Sequence, residues 1–338
     1  MRRGGVLHGV VLLTVLLTSI LAASAVGSVP ISPVDVGKML LSRVPLFGHV
    51  EKTWTAIQEV IILQVRLPRV LLAALIGAGL SAAGVLFQGI LRNPLADPYV
   101  IGVSSGASLG AAAALLFVIP AGWAWYGTVP LFAFVGALAA TIIVYRVGLV
   151  KGRIHPTNLI LAGVAVGSLF TALVSFMMVM KIQNLQDVYM WLMGSLSGRG
   201  WLQLGAAVPY VLGGCAVAIF ISSKLDVYLL GEETAHSLGV DVQRLQKQVL
   251  VLGSLIAAAC VAVSGVIGFV GLMVPHAVRM WIGPKHRRLT VYSCLVGAIF
   301  LLAADTLART VLSPLELPVG IVTAMTGGPF FIYLMKRG

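Results

Sequence analysis

The sequence carries few residues of the types and spacing that catalysis requires. It contains no HExxH zinc motif, no GxSxG nucleophile turn and no cluster of cysteines and histidines with metal-ligand spacing. Its six histidines are scattered, and its three cysteines, Cys215, Cys260 and Cys294, each lie inside an apolar run, as small core residues do. We therefore expect no catalytic residue, no metal ligand and no cofactor-binding residue in this chain.

Nucleotide binding and ion coupling also find little support in the residues. The phosphate-cradling motif GxxxxGK[ST] does not occur, so ATP, if it drives the activity, must be bound by a separate protein. Asp305 is the one candidate for a buried ionisable residue, the usual mark of ion coupling in a membrane. Arg309 follows four positions later on the same helix face, which favours a local ion pair near a helix end over ion coupling.

The composition of the chain places its secondary-structure elements in a membrane. Of the 338 residues, 59% are hydrophobic and 10% are charged, with a mean hydropathy of +1.01. Average soluble domains carry roughly 25% charged residues, so a soluble fold is excluded, and so is disorder, which requires low hydrophobicity. The net charge of +12 would suggest a nucleic-acid partner in a soluble protein. Here the basic residues lie between apolar runs, so we expect contact with membrane lipid and none with nucleic acid.

Eight stretches of the chain lack Asp, Glu, Lys and Arg altogether: residues 4–34, 70–91, 98–145, 154–180, 200–223, 248–278, 289–304 and 317–335. A helix needs about 20 apolar residues to cross a bilayer, so most stretches hold one helix. The third holds two, broken around Pro120–Gly122. The sixth is interrupted by Gly265, Gly268 and Gly271, and holds one helix and the start of a second that ends near Trp281.

The total predicts an all-α polytopic bundle of about ten transmembrane helices in a single domain, residues 1–338. The first stretch follows Arg2 and Arg3 and contains an A-x-A sequence at 23–25, so a cleavable signal peptide is the alternative to a first transmembrane helix. Its length exceeds the 7–15 residues of a typical signal-peptide core, which favours the helix.

Basic residues predict the orientation of the bundle. With the N-terminus inside, 15 of the 23 Lys and Arg residues lie on the inner side, which favours an N-in, C-in topology. Residues 29–65 then form an external segment, and residues 224–247 form an internal loop.

Small residues recur along the predicted helices, as close helix packing in membranes requires. Ser104, Ser105 and Ser108 either serve such packing or line a polar pathway. Residues 81–89 resemble residues 262–271, and the two segments lie in spans two and seven, so a repeat of this kind would be inverted in the membrane, as in many transporters.

Several short motifs occur in order along the chain. They are Arg-Leu-Pro-Arg at 66–69, Arg-Asn-Pro-Leu-Ala-Asp-Pro at 92–98 running into Gly-Val-Ser-Ser-Gly at 102–106, Gly-Glu-Glu-Thr-Ala-His-Ser-Leu-Gly at 231–239, Gly-Phe-Val-Gly-Leu-Met-Val-Pro-His at 268–276, Glu-Leu-Pro-Val-Gly at 316–320 and Gly-Gly-Pro-Phe at 327–330. With this set the sequence resembles, over nearly its whole length, the FecCD family of permease subunits of type II ABC importers for iron–siderophore complexes, haem and cobalamin.

The resemblance implies the type II ABC importer permease fold in the cytoplasmic membrane of a prokaryote. It implies a homodimer, or a pseudo-dimer of related chains, with two ATPase subunits on the inner side and a substrate-binding protein outside. The cargo would be a small-molecule metal chelate, a ferric siderophore as first choice and haem or cobalamin next, moved by ATP-driven alternating access. The methionines at 177–193, with Trp191, would face such a cargo or fill the core. The alternatives are an ion-coupled secondary transporter acting without an ATPase and an intramembrane enzyme, for which a catalytic set is lacking.

The resemblance also implies two sites at the ends of the helices, one for docking of the binding protein and one for a cytoplasmic gate. Arg66, Arg69 and Arg309 would receive acidic residues of the binding protein, since the planar guanidinium pairs bidentately with carboxylate. Their alternative role is to snorkel to the membrane surface. Thr157 and Asn158 would form a cytoplasmic gate with the second subunit, where Asn158 carries an amide in place of the family's small hydroxyl.

The internal loop at 224–247 would contain the coupling helix that contacts an ATPase. The residues assigned to it are Glu232, Glu233, Ala235, Leu238 and Gly239. The two glutamates suit the positive end of a helix dipole, and the glycine suits the residue that ends a helix. An ordinary capped loop helix would have the same residues.

Overall fold

The computed structural model describes residues 2–27, 29–43, 51–118, 127–181 and 185–337, with side chains from Leu7 onward except those of Val118, Met335 and Arg337. Its helices are α1 (Arg2–Ala25), α2 (Pro33–Leu41), α3 (Ala56–Val60), α4 (Leu67–Ile90), α5 (Val103–Ala113), α6 (Thr128–Gly148), α7 (Pro156–Met180), α8 (Leu185–Leu192), α9 (Trp201–Tyr228), α10 (Glu232–Ser237), α11 (Val242–Ser264), α12 (Val270–Ile282), α13 (His286–Thr310) and α14 (Val319–Arg337). The helical architecture confirms the predicted all-α bundle.

Three shorter helical pieces and one hairpin connect these helices. A π-helical stretch, Ile61–Arg66, joins α3 to α4, and another, Ala114–Val118, extends α5. A 3₁₀ turn, Pro98–Ile101, precedes α5. Strands β1 (Leu149–Val150) and β2 (Arg153–Ile154) pair antiparallel between α6 and α7.

Length and composition identify the helices that can cross a membrane. Among the described residues, seven helices are long and apolar enough, and three shorter apolar helices, at 103–117, 270–282 and 319–334, bring the number of apolar helices to ten. This agrees with the prediction of about ten spans. The break predicted at Pro120–Gly122 lies outside the described residues.

The second span begins earlier than the charge-free stretch at 70–91 predicts. One continuous helix runs from Ala56 to Ile90 and includes the last part of the predicted external segment, residues 29–65. Thr55 starts it with a capping box. The Thr55 hydroxyl accepts from the backbone N–H of Gln58, and the side-chain oxygen of Gln58 accepts from the backbone N–H of Thr55. Charged residues do not interrupt this helix, because Glu59 pairs with Arg43 at 2.6 Å on its exposed outer turn.

Helix α4 lies at the centre of the bundle and is buried on nearly every side. Glycines bring its neighbours into backbone contact, as small residues do between membrane helices. A Cβ atom on Gly77 would lie 2.1 Å from the backbone oxygen of Gly297 on α13, and one on Gly84 would lie 1.8 Å from that of Gly271 on α12. Any side chain at these positions would push the helices apart.

The sixth charge-free stretch is broken as its glycines predict. Helix α11 ends at Ser264, Gly265 follows with φ +71°, and α12 begins at Val270 after Phe269 with φ +69°. Non-helical backbone at membrane depth must find internal partners, and the Tyr99 hydroxyl donates to the Ile267 carbonyl at 3.0 Å. Residues 262–271 therefore contain a break where residues 81–89 are continuous helix, so the two segments are not structural copies.

Candidate functional site

Five charged side chains converge at the outer ends of α4 and α13 and on the connection to α14. They are Arg66, Arg69, Asp305, Arg309 and Glu316, and we call them the outer cluster. Arg69 binds both carboxylates: its Nε lies 3.1 Å from each oxygen of Asp305, its Nη2 lies 2.9 Å from Asp305 Oδ1, and its Nη1 lies 2.8 Å from Glu316 Oε2.

Asp305 pairs mainly with a residue distant in sequence. Its local partner Arg309 lies farther away, with 3.9 Å between Arg309 Nε and Asp305 Oδ2, so the i,i+4 pair is present but secondary to Arg69. Asp305 is only 1% exposed and accepts three hydrogen bonds from one guanidinium group. These bonds all come from Arg69 on α4, so Asp305 has a structural role in joining α13 to α4.

Arg66 and Arg309 bind the backbone where α1 ends. Arg66 Nη1 donates to the carbonyls of Ser24 and Ala25 at 3.2 and 2.9 Å, and Arg309 Nη2 donates to the carbonyl of Ala23. These oxygens lie at the C-terminal end of α1, where helix carbonyls lack an internal partner. The two arginines therefore attach α1 to the rest of the bundle.

The three arginines predicted to dock a partner are thus brought together, but they are buried. Arg66, Arg69 and Arg309 are 6%, 8% and 7% exposed, and their guanidinium groups bind oxygens of this same chain. This burial differs from the snorkelling alternative, in which the charged ends reach water. Their three positive charges exceed the two carboxylates of the cluster, so one positive charge remains in excess.

Glu316 is the most accessible member of the outer cluster, with 38% of its side chain exposed. Burial raises the pKa of its carboxyl, but hydrogen bonds from Arg69 and Ser197 and the positive charge of Arg69 outweigh burial and hold that pKa below its usual value. It is therefore ionised at neutral pH. Glu316 also lines a cavity of about 230 Å³ together with Met190, Trp191 and Arg199.

At the inner end, the internal loop folds into the predicted short helix, α10. Within this helix the side chain of Ala235 is fully buried, whereas those of Glu232 and Glu233 are exposed, as is that of Leu238 directly after the helix. Gly239 has φ +79°, its N–H donates to the His236 carbonyl, and the next N–H donates to the Ala235 carbonyl. This is the Schellman arrangement that ends a helix at a glycine, so the predicted cap is confirmed.

Exposed leucines flank α10. Leu229, Leu230 and Leu238 are 44%, 65% and 61% exposed. By the predicted topology they face the inner aqueous side. A groove of about 910 Å³ separates α10 from the β1–β2 hairpin, and Arg153, His155 and Glu232 are among the residues that line it.

The predicted gate residues occupy the first turn of α7. Thr157 is exposed and Asn158 is half-buried, directly after the hairpin. Farther along α7, Gly163, Gly167, Ser168, Thr171 and Ser175 line an open groove of about 620 Å³. The three hydroxyl residues are exposed on one face, a helical spacing that was readable in the sequence but that our sequence analysis missed.

The serines at the start of α5 have a packing role in the structure. Ser105 Oγ donates to the Gly102 carbonyl at 3.0 Å and Ser108 Oγ donates to the Ser104 carbonyl at 2.8 Å. A Cβ on Gly167 of α7 would lie 3.6 Å from Ser105 Oγ, so α5 and α7 pack closely there. Ser105 and Ser108 are half-buried in the bundle, which fits the packing interpretation better than the pathway interpretation.

Comparisons with known proteins agree on one family and one fold. The sequence profile of the FecCD transport family matches residues 13–337. The cobalamin import system permease protein BtuC of Halobacterium salinarum is 45% identical over 82% of this chain and 74% of its own length. The hemin transport system permease protein HmuU of Yersinia pestis is 42% identical over 81% of this chain and 83% of its own.

A third relative and a solved structure extend this agreement. The Fe(3+)-citrate import system permease protein YfmE of Bacillus subtilis is 41% identical over 82% of each chain. A metal-chelate type ABC transporter solved in an inward-facing conformation superposes with a TM-score of 0.82, at 33% identity, over 98% of this chain and 99% of the other.

Proposed function

We propose a cargo, partners and a transport cycle for this chain, which belongs to the FecCD transport family and is therefore a multi-pass permease subunit of an ABC importer. The observation that carries the proposal is the agreement of a profile over residues 13–337 with a fold superposition over 98% of the chain. As a transport subunit, the chain moves its cargo and leaves ATP hydrolysis to another protein.

The proposed cargo is a metal chelate, with a ferric siderophore as first choice and haem or cobalamin next. Relatives that are 41–45% identical are named for Fe(3+)-citrate, hemin and cobalamin, all organic complexes of a metal ion. Two of these three cargoes contain iron. The membrane would be the cytoplasmic membrane of a prokaryote.

Two ATPase subunits are the proposed partners on the inner side. The leucines beside α10, above all Leu238, supply the apolar contact, and the capped end at Gly239 gives the helix a defined position. Buried Ala235 joins α10 to the bundle, so a movement of the ATPase would be transmitted to the helix ends below. Glu232 and Glu233 lie on the exposed surface of α10 and complete the proposed coupling site.

A substrate-binding protein is the proposed partner on the outer side, at the outer cluster. The excess positive charge of Arg66, Arg69 and Arg309 favours an acidic partner. Because Arg69 already binds Asp305 and Glu316, an incoming carboxylate must take the place of one of them. Glu316 is the one to be displaced, since it is more exposed than Asp305 and binds Arg69 through a single nitrogen.

A second copy of the chain is proposed to complete the pathway. The groove on α7 presents hydroxyls at membrane depth, an arrangement that suits a water-filled pathway better than lipid. Thr157 and Asn158 lie at the inner end of the same helix, so two copies facing each other through α7 would close the pathway there. The loaded binding protein would dock outside, and ATP would then drive alternating access.

Reconstitution in proteoliposomes tests the proposed function. The permease would be combined with its ATPase and binding protein, and ferric siderophores, haem and cobalamin would be offered in parallel. We expect ATP-dependent accumulation of one of these cargoes. Uptake that needs no ATP and follows an ion gradient would overturn the proposal in favour of a secondary transporter.

A further inference from the structure

Tyr228, the last residue of α9, is fully buried at the point where the chain leaves the membrane toward α10. Arg92, in the connection after α4, lies over its ring with 4.2 Å between the guanidinium carbon and the ring centroid. Arg92 Nη2 also donates to the Tyr228 carbonyl at 3.1 Å. One arginine thus binds both the ring and the backbone of Tyr228.

The hydroxyl of Tyr228 connects two further helices. Gln246 Nε2, near the start of α11, donates to Tyr228 Oη at 3.2 Å, and Tyr228 Oη donates to the Ile90 carbonyl, at the end of α4, at 3.4 Å. A single buried side chain therefore joins the end of α4, the end of α9 and the start of α11, and α10 packs against the last two helices. Gln246 also lines the groove next to α10.

Arg92 has φ +50°, which L-residues rarely adopt and which costs of order 1 kcal/mol or more. Such a conformation persists only where surrounding contacts impose it. Part of that constraint is the Schellman arrangement that ends α4, in which the Arg92 N–H donates to the Gly89 carbonyl and the Asn93 N–H donates to the Gln88 carbonyl. The contacts of the Arg92 side chain with Tyr228 then hold this connection against the end of α9.

The same connection reaches the break between α11 and α12. It runs from Arg92 through residues 93–98 to Tyr99, whose hydroxyl holds the Ile267 carbonyl in the non-helical stretch at 3.0 Å. Pro98 packs so closely on α12 that a Cβ on Gly271 would lie 2.6 Å from its Cγ. Residues 92–99, which include the Arg-Asn-Pro-Leu-Ala-Asp-Pro motif noted in the sequence and end at Tyr99, therefore touch the α9–α10 junction at one end and the break at the other.

We propose that Tyr228 is a positioning residue for transport, which links displacement of α10 to the break at 265–269 by two routes. One runs through Gln246 and α11, which ends at the break, and the other runs through Arg92 and the segment 92–99. The inference rests on the proposed function, because the displacement would come from an ATPase bound at α10. A rigid contact at this place would move α4, α11 and the break together, and loosening it would let ATP be hydrolysed without full movement of the bundle.

The test compares Tyr228→Phe with Tyr210→Phe in the reconstituted complex. Tyr228→Phe keeps the ring under Arg92 but removes the acceptor of Gln246, whereas Tyr210 lies on the same helix, half-exposed beside Phe134. We expect Tyr228→Phe to lower the amount of cargo transported per ATP hydrolysed about fivefold, within the range found for residues that couple distant sites. ATPase affinity and ATP turnover should stay unchanged, and Tyr210→Phe should behave as wild type.

Tyr99→Phe provides a second variant at the other end of the segment. It should lower the same ratio, and the losses of the two single variants should add in the double variant, because each removes a contact on a different route to the break. A wild-type ratio for Tyr228→Phe or Tyr99→Phe would overturn the inference, as would a loss explained by weaker ATPase binding. Absence of ATP-dependent uptake by the wild-type complex would instead refute the proposed function.

Discussion

Arg69 on α4 and Asp305 on α13 are joined by three hydrogen bonds of 2.9 to 3.1 Å, although 236 positions separate them in sequence. Both side chains are less than a tenth exposed. The pair holds the outer ends of two helices whose glycines and serines interlock farther down, at Gly77, Ser81 and Gly297. A buried pair of this kind is costly to disrupt from one side only, because the remaining charge loses its partner.

Replacement of Asp305 by alanine should therefore destabilise the permease strongly. We expect the free energy of unfolding to fall by about 3–5 kcal/mol, the usual cost of removing one partner of a buried ion pair. Arg43→Ala, which breaks the exposed pair with Glu59 but leaves Glu59 to accept from the Trp54 indole, should cost at most about 1 kcal/mol. Denaturant titration in detergent would measure both, and equal small losses would contradict the structural role of Asp305.

Neutralising Glu316 should strengthen docking of the binding protein. Glu316→Gln leaves Arg69 Nη1 with a weaker internal partner and raises the positive charge of the outer cluster. We expect the Kd of the binding protein to fall about three- to tenfold, as charge pairs at interfaces commonly contribute on the order of 1 kcal/mol. Glu59→Gln removes the same charge elsewhere on the outer side, and an equal effect of both variants would refute a specific role for Arg69.

Gly84 should tolerate no side chain. In Gly84→Ala the new Cβ would meet the backbone oxygen of Gly271, so α4 and α12 must separate at a cost of about 1–3 kcal/mol or more. Gly213→Ala on α9 is the matched control, since nothing lies within 4 Å of its Cβ position, and it should stabilise the helix by about 0.5–1 kcal/mol. Thermal unfolding in detergent distinguishes them, and a neutral Gly84→Ala would contradict the packing.

Leu238 should matter for ATPase binding and little for folding. Its side chain is 61% exposed beside α10, so Leu238→Asp leaves the core intact but places a charge in the proposed apolar contact. We expect at least about tenfold weaker binding, corresponding to about 1.4 kcal/mol, with an unchanged unfolding midpoint. Leu41→Asp, on exposed α2 of the outer side, should leave ATPase affinity unaltered. Normal ATPase binding by Leu238→Asp would remove the leucine from the contact.

Thr157 should approach its counterpart in a second copy. A Thr157→Cys variant in membranes should form a disulfide-linked dimer on mild oxidation, because the proposed gate brings the two α7 helices together at their inner ends. Ser223→Cys, exposed at the inner end of α9, serves as the control. Native Cys215 and Cys260 are buried and should contribute little background. Cross-linking at 223 with none at 157 would place the dimer contact on another face.

Local features of the fold were predictable from the sequence, and long-range ones were not. Gly265 marked the end of α11 and Gly239 marked the end of α10, because each acts through its own backbone conformation. The early start of the second span was missed, since its compensating partner, Arg43, cannot be inferred from neighbours in sequence. Asp305 was assigned to the nearest arginine for the same reason. Only the packing of α4 against α13 brings it to Arg69.

The attachment of α1 uses main-chain oxygens, and this has a consequence for how freely that helix can be redesigned. Arg66 and Arg309 donate to backbone carbonyls at 23–29, groups that every residue carries. These hydrogen bonds therefore do not depend on which side chains the segment has. Gly27 is an exception, because a Cβ there would lie 2.5 Å from Arg66 Nη2. A foreign apolar helix could therefore replace α1 in a functional chimera, provided that it ends in the same register and keeps this glycine.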